Sequence, residues 1–330
     1  MSEYKKSETI PAGNAGVVFW KQREIMEKMR VDVIIPTYHP GQELRSLLTR
    51  LTRQSFGVSR ILIMNTEEEF WDKKLEEDFP ILEVHHLKRE EFDHGGTRRA
   101  AAALSDGDIM VFMTQDAIPK DQNLIENLVL ALEPENVGAA YARQLPAPDC
   151  RFLERCTRAF NYPEESCVKT SADLPRLGIK TFFCSDTCAA YKKQVYEEMG
   201  GFVEKTIFNE DMIMAGRMVQ NGYGIAYAAD ARVIHSHNYS AMMQFHRNFD
   251  LGVSQAEHPE IFQGISSEGE GIKLVKKTIS ILCRKGRFWL IPVLVVQSGA
   301  KYAGYFLGKR YQKLPKALVR RCSMNKSYWE

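Results

Sequence analysis

Short apolar segments of strand length alternate with a helical segment in the first third of this chain. Val31 to Ile35, Ile61 to Met64 and Ile109 to Met113 are mostly apolar runs, and Leu82 to His86 is a weaker one. Glu43 to Gln54, between the first two, places leucines at helical spacing. Strands that alternate with helices form a sheet covered by those helices. We therefore predict an α/β fold with a mostly parallel central sheet, in which Pro36 ends the first strand.

The remainder of the chain is less regular. Further helices are predicted for Trp20 to Met29, Gln122 to Leu132, Lys192 to Met199 and Asp211 to Gln220. Further strands are predicted for Val137 to Tyr141, Ile225 to Tyr227 and Arg232 to His235. The segment from Pro146 to Ile179 is rich in Pro and Cys, and we expect it to be an irregular specificity loop.

Composition narrows the class of protein. A hydrophobic content of 44% and a charged content of 26% are ordinary for a soluble globular chain. The seven cysteines contain no CxxC pair, which favours a reducing cytosol over a disulfide framework or a structural zinc site. The N-terminus lacks the apolar core of a signal peptide. The longest apolar run, Phe288 to Val296, is interrupted by Pro292 and is shorter than the roughly 20 residues of a membrane span.

Two acidic elements are candidates for chemistry. Asp116 follows the strand that ends at Met113, and open α/β sheets bind ligands at the carboxyl ends of their strands. Asp116 is therefore a candidate ligand of a metal or phosphate, although an Asp there can also be a helix cap. About a hundred residues later, Glu210 and Asp211 open a helix, where acidic side chains also simply favour the helix dipole.

Two histidines follow the last predicted strand. His235 and His237 point to the same face if the strand continues, and imidazoles bind cations such as Mn²⁺. A single structural histidine is the alternative, and we favour His237 over His235 as a ligand. No G-x-G-x-x-G follows the first strand, which argues against a dinucleotide-binding oxidoreductase.

Several motifs together resemble the inverting nucleotide-sugar glycosyltransferases of family 2, which have the GT-A fold. The resemblance covers about residues 31–250 and is carried by VDVIIPTYHPG, GDIMVFMTQDA, EMGGF and Asn209-Glu210-Asp211 followed by Arg217 and Asn221-Gly222-Tyr223. FDHGGTRR, TQDA and HSHNYS further resemble the bacterial rhamnosyltransferase branch. Two positions depart from the family pattern. Thr114 replaces the first Asp of the metal-binding DxD motif, and Asn65-Thr66 replaces the acidic pair that contacts the base.

The resemblance and the residue types together indicate a role for each candidate residue. Asp211 is the expected catalytic base, and Asp116, with His237, is the expected ligand of a divalent cation, Mg²⁺ or Mn²⁺. Donor contacts are expected from Pro36, Thr37, Tyr38, Asn65, Asp93, Arg98, Gln115 and Asp116. Acceptor contacts are expected from Asp186, Glu210 and Arg247. Arg99, beside Arg98, is expected to form a surface salt bridge.

The same resemblance predicts the reaction. The preferred donor is dTDP-β-L-rhamnose, and the acceptor is a lipid-linked or polysaccharide intermediate of a cell wall or surface glycan. Another nucleotide sugar, such as a UDP-hexose, remains an alternative donor. A catalytically silent membrane-bound scaffold is an alternative of another class, because Thr114 weakens the metal motif.

We expect three regions: a helical lead-in (1–30), a GT-A domain (31–265) and a basic amphipathic tail (266–330). The domain divides into a nucleotide-sugar half (31–120) and an acceptor half (121–265). Lys273 to Tyr328 contains no acidic residue and mixes cations with aromatic and aliphatic side chains. A solvated basic end is one interpretation, and no recognisable module indicates a nucleic-acid partner. The family resemblance favours attachment to an anionic membrane surface, at the cytoplasmic face of the cell membrane.

Overall fold

The computed structural model describes residues 29–265 and 268–329, so the helix predicted from Trp20 lies almost wholly outside the described residues. The first half alternates as predicted: β1 (Val31–Tyr38), α1 (Gln42–Leu51), β2 (Arg60–Thr66), α2 (Lys74–Asp78), β3 (Leu82–Leu87), α3 (His94–Leu104) and β4 (Ile109–Met113). These four strands are parallel, in the order β3-β2-β1-β4. Because the strand order reverses next to β1, the carboxyl ends of β1 and β4 border the crevice where such sheets bind ligands.

The second half completes the same sheet. Its elements are β5 (Ile118–Pro119), α4 (Leu124–Ala131), β6 (Val137–Leu145), α5 (Phe152–Asn161), β7 (Cys167–Lys169), α6 (Leu174–Leu177), β8 (Cys188–Lys192), α7 (Lys193–Glu198), α8 (Glu210–Gln220) and β9 (Gly224–Ile234). β8 runs antiparallel between β4 and β6, β6 and β9 are parallel, and β5 and β7 are antiparallel to β9. The sheet is therefore parallel in its first half and mixed beyond β4.

Apolar side chains cover both faces of the sheet. On one face, α1 contributes Leu44, Leu47, Leu48 and Leu51, all of them buried. On the other face, Ile34 and Phe112 pack with aromatic side chains such as Tyr191 and Phe202. Burial of these large side chains stabilises the sheet and holds its strands in place. The polar residues that follow the strands are positioned as a consequence.

Three details of the sequence prediction are wrong. Pro36 does not end β1, which pairs with β2 as far as Tyr38. Pairing of β1 with β4 ends at Ile34, so the N–H that proline lacks is not required for a bond to β4. The two short strands predicted between residues 225 and 235 form the single strand β9, with a bulge opposite the Ala142–Arg143 step of β6. The segment predicted to be irregular contains α5, in which Phe152, Leu153 and Cys156 recur at helical spacing.

The tail is helical and packs on the domain. It follows α9 (Ala241–Glu257) and α10 (Pro259–Phe262) and comprises α11 (Glu268–Arg284), α12 (Ile291–Gly308) and α13 (Lys316–Cys322). Phe288–Gly308, which includes α12, is the one stretch among the described residues that is long and apolar enough to cross a membrane. Pro292 does not interrupt it, because it stands in the first turn, where a helix needs no donor from that residue.

Glycines bring α12 into backbone contact with α9. A Cβ at Gly304 would collide with the carbonyl oxygen of Phe245, and one at Gly308 with that of Phe249. The Tyr305 hydroxyl donates a hydrogen bond of 2.7 Å to Gln255 on α9. One face of α12 therefore packs against α9. Apolar side chains of the opposite face remain exposed, among them Val295, Val296 and Tyr302.

Candidate active site

The ends of β1 and β4 are joined by one amide. Gln115, two residues after β4, accepts a hydrogen bond from the Tyr38 N–H (2.9 Å) and donates one to the Tyr38 carbonyl (3.1 Å). The Tyr38 ring is 42% exposed, and the Arg89 guanidinium lies 5.7 Å from its centroid. These two hydrogen bonds hold the ends of β1 and β4 together, and Asp116 directly follows Gln115.

Asp116 forms a cluster with both histidines. Its Oδ2 atom lies 3.5 Å from His235 Nε2 and 3.4 Å from His237 Nε2, and the three candidate ligand atoms all lie within 4.8 Å of one another. His235 Nδ1 lies 3.1 Å from Gln144 Oε1, which also accepts a hydrogen bond from Arg158. Because that oxygen can only accept, Nδ1 of His235 carries a proton, and Nε2 is the ring nitrogen that faces Asp116. The cluster thus holds His235 as well as the favoured His237.

The protonation states of the cluster suit a cation. Burial raises the pKa of Asp116, but the imidazoles of His235 and His237 lower it more, so it lies below its ordinary value. Burial, together with the neighbouring His235, lowers the pKa of His237 to about 4. At neutral pH the carboxylate is ionised and the His237 imidazole is neutral, the forms in which both bind metals.

A second acidic cluster lies at the first turn of α8. Asp211 accepts hydrogen bonds from the N–H groups of Asp186 (3.2 Å) and Met212 (2.7 Å). Asp186 accepts a hydrogen bond of 2.7 Å from the Tyr191 hydroxyl. Glu210 Oε1 lies 3.1 Å from a terminal nitrogen of Arg98. The three predicted carboxyl groups, Asp186, Glu210 and Asp211, are therefore neighbours.

Burial makes Asp211 a weak acid. Its own burial and the adjacent charge of Glu210 raise its pKa to about 7, against the lowering effect of two backbone N–H groups and Arg98. Burial also raises the pKa of Asp186 well above its ordinary value. Asp211 itself is only half-buried. A half-buried carboxyl that titrates near neutrality is suited to accept a proton from a bound hydroxyl.

The two clusters flank one short stretch of the sheet. Thr114 N–H donates a hydrogen bond of 3.2 Å to the carbonyl of Thr187, where β4 pairs with β8. Asp116 is two residues beyond Thr114, and Asp186 directly precedes Thr187. The structure thus brings together acidic residues from both predicted halves of the domain.

The side chains of four residues predicted to contact the donor make contacts within the protein. The Asp93 carboxylate caps α3 through the Gly96 N–H and accepts hydrogen bonds from the N–H groups of Lys205 and Thr206. Asn65 is fully buried, and its amide contacts Thr37 and His86. The same bond occupies the Thr37 hydroxyl, which leaves the exposed ring of Tyr38 as the accessible side chain there.

Arg98 is the fourth of these residues. It is only 6% exposed, donates to the carbonyl of His94 and lies beside Glu210 and Asp186. Its charge therefore balances the acidic cluster and is not presented to a diphosphate from the surface. Arg99, predicted to form a surface salt bridge, lies 3.3 Å from Glu204.

The structure also adds residues that the sequence reasoning missed. Tyr239 stacks on His237 with ring centroids 5.2 Å apart, and the Arg247 guanidinium lies 5.9 Å from the Tyr239 ring and 4.4 Å from that of Phe208. Tyr239 stands two residues after His237 in HSHNYS, which is the one sequence signal for it. Gln144 and Tyr191, which orient His235 and Asp186, have no comparable sequence signal.

Comparisons with known proteins identify the family of this chain. Residues 32–200 match the model of glycosyl transferase family 2. The chain is 40% identical to the O-antigen chain rhamnosyltransferase RfbN of Salmonella typhimurium over 91% of its length and 96% of that protein's. It is also 40% identical to WbaN of Salmonella anatum, another O-antigen chain rhamnosyltransferase, with 90% and 95% coverage.

A solved structure supports the fold independently. The mannosyltransferase PcManGT of Pyrobaculum calidifontis, solved with GDP-Man and Mn²⁺, superimposes with a TM-score of 0.53 at 17% identity, covering 96% of this chain and 92% of its own. The predicted GT-A fold is thereby confirmed. This chain is a glycosyltransferase that belongs to glycosyl transferase family 2.

Proposed function

We propose that this protein transfers L-rhamnose from dTDP-β-L-rhamnose, with inversion, to an acceptor in surface-glycan synthesis. The observation that carries the proposal is an Asp-His-His cluster and a half-buried carboxyl of raised pKa in segments that flank the hydrogen bond between Thr114 and Thr187. The preference for rhamnose is supported by the 40% identity to two O-antigen chain rhamnosyltransferases.

The cluster of Asp116, His235 and His237 fits a divalent cation, Mg²⁺ or Mn²⁺. One ionised carboxylate and two imidazoles offer three ligand atoms from one small volume. The mannosyltransferase of similar fold was solved with Mn²⁺, which supports the same class of cofactor here. When bound, the cation would neutralise the charge that develops on the diphosphate leaving group. Thr114 supplies no carboxylate, and His235 and His237 would provide ligands in its place.

Asp211 would act as the base. Inversion requires a proton acceptor on the face of the sugar opposite the leaving group. As the acceptor oxygen attacks the anomeric carbon, its proton passes to the Asp211 carboxylate and the bond to the diphosphate breaks. Two backbone N–H groups orient this carboxylate, and Arg98 balances the charge of the neighbouring Glu210.

Binding of a panel of nucleotide sugars tests the donor assignment. Calorimetry with dTDP-rhamnose, UDP-hexoses and GDP-mannose, each with and without Mn²⁺, should show selective and metal-dependent binding of dTDP-rhamnose. Selective binding of a UDP-hexose would keep the enzyme class and reject rhamnose. Absence of binding to every donor would favour the silent scaffold.

We further propose that the enzyme works at the cytoplasmic face of the membrane, held by its tail. Phe288 and Trp289 are exposed beside cations such as Lys285 and Arg287. Exposed aromatic groups flanked by cations bind anionic membrane interfaces. The protein should co-sediment with vesicles containing anionic lipid at low salt, and high salt should release it. Equal recovery in the supernatant with anionic and neutral vesicles would contradict this attachment.

A further inference from the structure

The segment that leads into Asp211 is held by contacts from distant parts of the chain. We call residues 203–209 the base loop, because α8 and the proposed base follow it directly. Lys205 (φ 52°) and Asn209 (φ 79°) both adopt left-handed backbone conformations. Such conformations are uncommon for residues other than glycine and persist where surrounding contacts impose them. The conformation of the base loop therefore depends on its partners.

One side of the base loop is bound to the first turn of α3. The Asp93 carboxylate accepts hydrogen bonds from the N–H groups of Lys205 (3.0 Å) and Thr206 (3.1 Å). The carbonyl oxygen of Val203 lies where a Cβ of Gly95 would be. These contacts hold two N–H groups of the loop and leave the carbonyl of Lys205 to another partner.

That partner is Tyr328, near the C-terminal end of the chain. Its hydroxyl donates to the carbonyl oxygen of Lys205 (3.3 Å) and to Oε2 of Glu257, at the end of α9 (3.0 Å). Burial and the charge of Glu257 raise the pKa of Tyr328, so the hydroxyl keeps the proton that it donates. The base loop is thus bound on its other side by a residue 123 positions away from Lys205.

The C-terminal segment is itself anchored to α9. Asp250, which is buried, accepts hydrogen bonds from the N–H groups of Met324 (2.9 Å) and Asn325 (3.1 Å). Ile207 of the base loop is 1% exposed and packs in one cluster with side chains of α9 and α13. Residues 323–329 therefore form part of the support of the base loop.

We propose that Tyr328 is a positioning residue of the transfer reaction, which holds the base loop in the conformation that orients Asp211 toward the acceptor hydroxyl. The inference rests on the proposed role of Asp211 as the base. A shift of the base loop changes the distance between the carboxylate and the acceptor oxygen, and small displacements of a reacting group are costly. The donor, bound beside the Asp-His-His cluster, is unaffected by such a shift.

Tyr328→Phe removes the hydroxyl and keeps the ring beside that of Trp329. We expect kcat to fall about tenfold, because the base is no longer held in place. Donor affinity and the number of donor sites per chain, measured by calorimetry with Mn²⁺, should equal those of wild type. Hydrogen exchange at the amides of Lys205 and Thr206 should become about fivefold faster, because one hydrogen bond no longer restrains the loop. Transfer is measured with the donor that the nucleotide-sugar panel selects.

Tyr311→Phe is the matched control. The Tyr311 hydroxyl donates to the other carboxylate oxygen of Glu257 (3.0 Å), and within the described part of the chain its remaining bond is with Gln312. This variant therefore loses a hydrogen bond to the same partner, in the same tail, without releasing Lys205. It should keep the kcat and the exchange rates of wild type.

Wild-type kcat in Tyr328→Phe would overturn the proposal. So would an equal fall of kcat in both phenylalanine variants, or a fall matched by the loss of donor sites, because the hydroxyl would then support only the fold. Asp211→Asn is assayed in parallel. Full transfer by Asp211→Asn would reject the base and the positioning role together, whereas full transfer by Tyr328→Phe alone would reject only the positioning role.

Discussion

Replacing Asp211 with Asn is expected to lower kcat for sugar transfer about a thousand-fold, because the amide cannot accept the proton of the acceptor hydroxyl. In wild type, activity should rise with pH through about 7, where the Asp211 carboxyl loses its proton. The residual activity of the variant should show no such rise. Transfer assays across the pH range, with nucleotide release as the readout, measure both effects.

The fold of this variant can be checked in the same preparation. The folded pKa of Asp211, about 7, exceeds its ordinary value of 3.8, so ionisation destabilises the folded state as pH rises between these values. Above pH 7, Asp211→Asn should therefore melt at the same temperature as wild type or higher. Asp230→Asn, at an exposed position of β9, is the matched control and should keep full activity. Near-native transfer by folded Asp211→Asn would contradict the assignment of the base.

Asp116→Ala is expected to abolish metal-dependent donor binding and to reduce transfer by at least about 100-fold. The substitution removes the one carboxylate of the cluster, and two imidazoles alone hold a hard cation such as Mg²⁺ or Mn²⁺ poorly. Calorimetry of donor binding with and without Mn²⁺ measures the loss directly. Asp106→Ala removes an equally charged side chain that is 76% exposed, and it should bind donor and metal like wild type.

Substitution of a histidine tests the same metal site. His235→Ala should resemble Asp116→Ala if both imidazoles bind the cation, since His235 lies as close to Asp116 as His237 does. Donor binding by Asp116→Ala that still increases with Mn²⁺ would place the metal elsewhere.

The sequence predicted the elements whose pattern is local. The apolar runs of β1, β2 and β4 locate the first half of the sheet, and the position of Asp116 after β4 follows from them. β9 was divided in two because Ala228, Ala229 and Asp230 have little strand propensity. Pairing with β6 on both sides of a bulge nevertheless keeps them in one strand. That pairing joins residues about ninety positions apart, which no local pattern reveals.

The same limit applies to the site. Donor contacts are predicted for Asp93 and for Arg98, the latter from the family resemblance. Within the protein these side chains contact Thr206 and Glu210, which come from the distant loop and helix that pack on α3. Gly95 belongs to the same contact, since a Cβ there would overlap the carbonyl oxygen of Val203. Residue type identified which groups can ionise, whereas tertiary packing decided which of them do so near neutral pH and which remain accessible to a ligand.

The glycine contacts between α9 and α12 have a geometric consequence. Gly304 and Gly308 leave no side chain between the two helices, so neither can tilt or slide without moving the other. α9 begins directly after the segment that carries His235 and His237. In the proposed membrane-attached state, this contact would therefore hold the segment that carries His235 and His237 at a constant distance from α12, and so from the lipid surface.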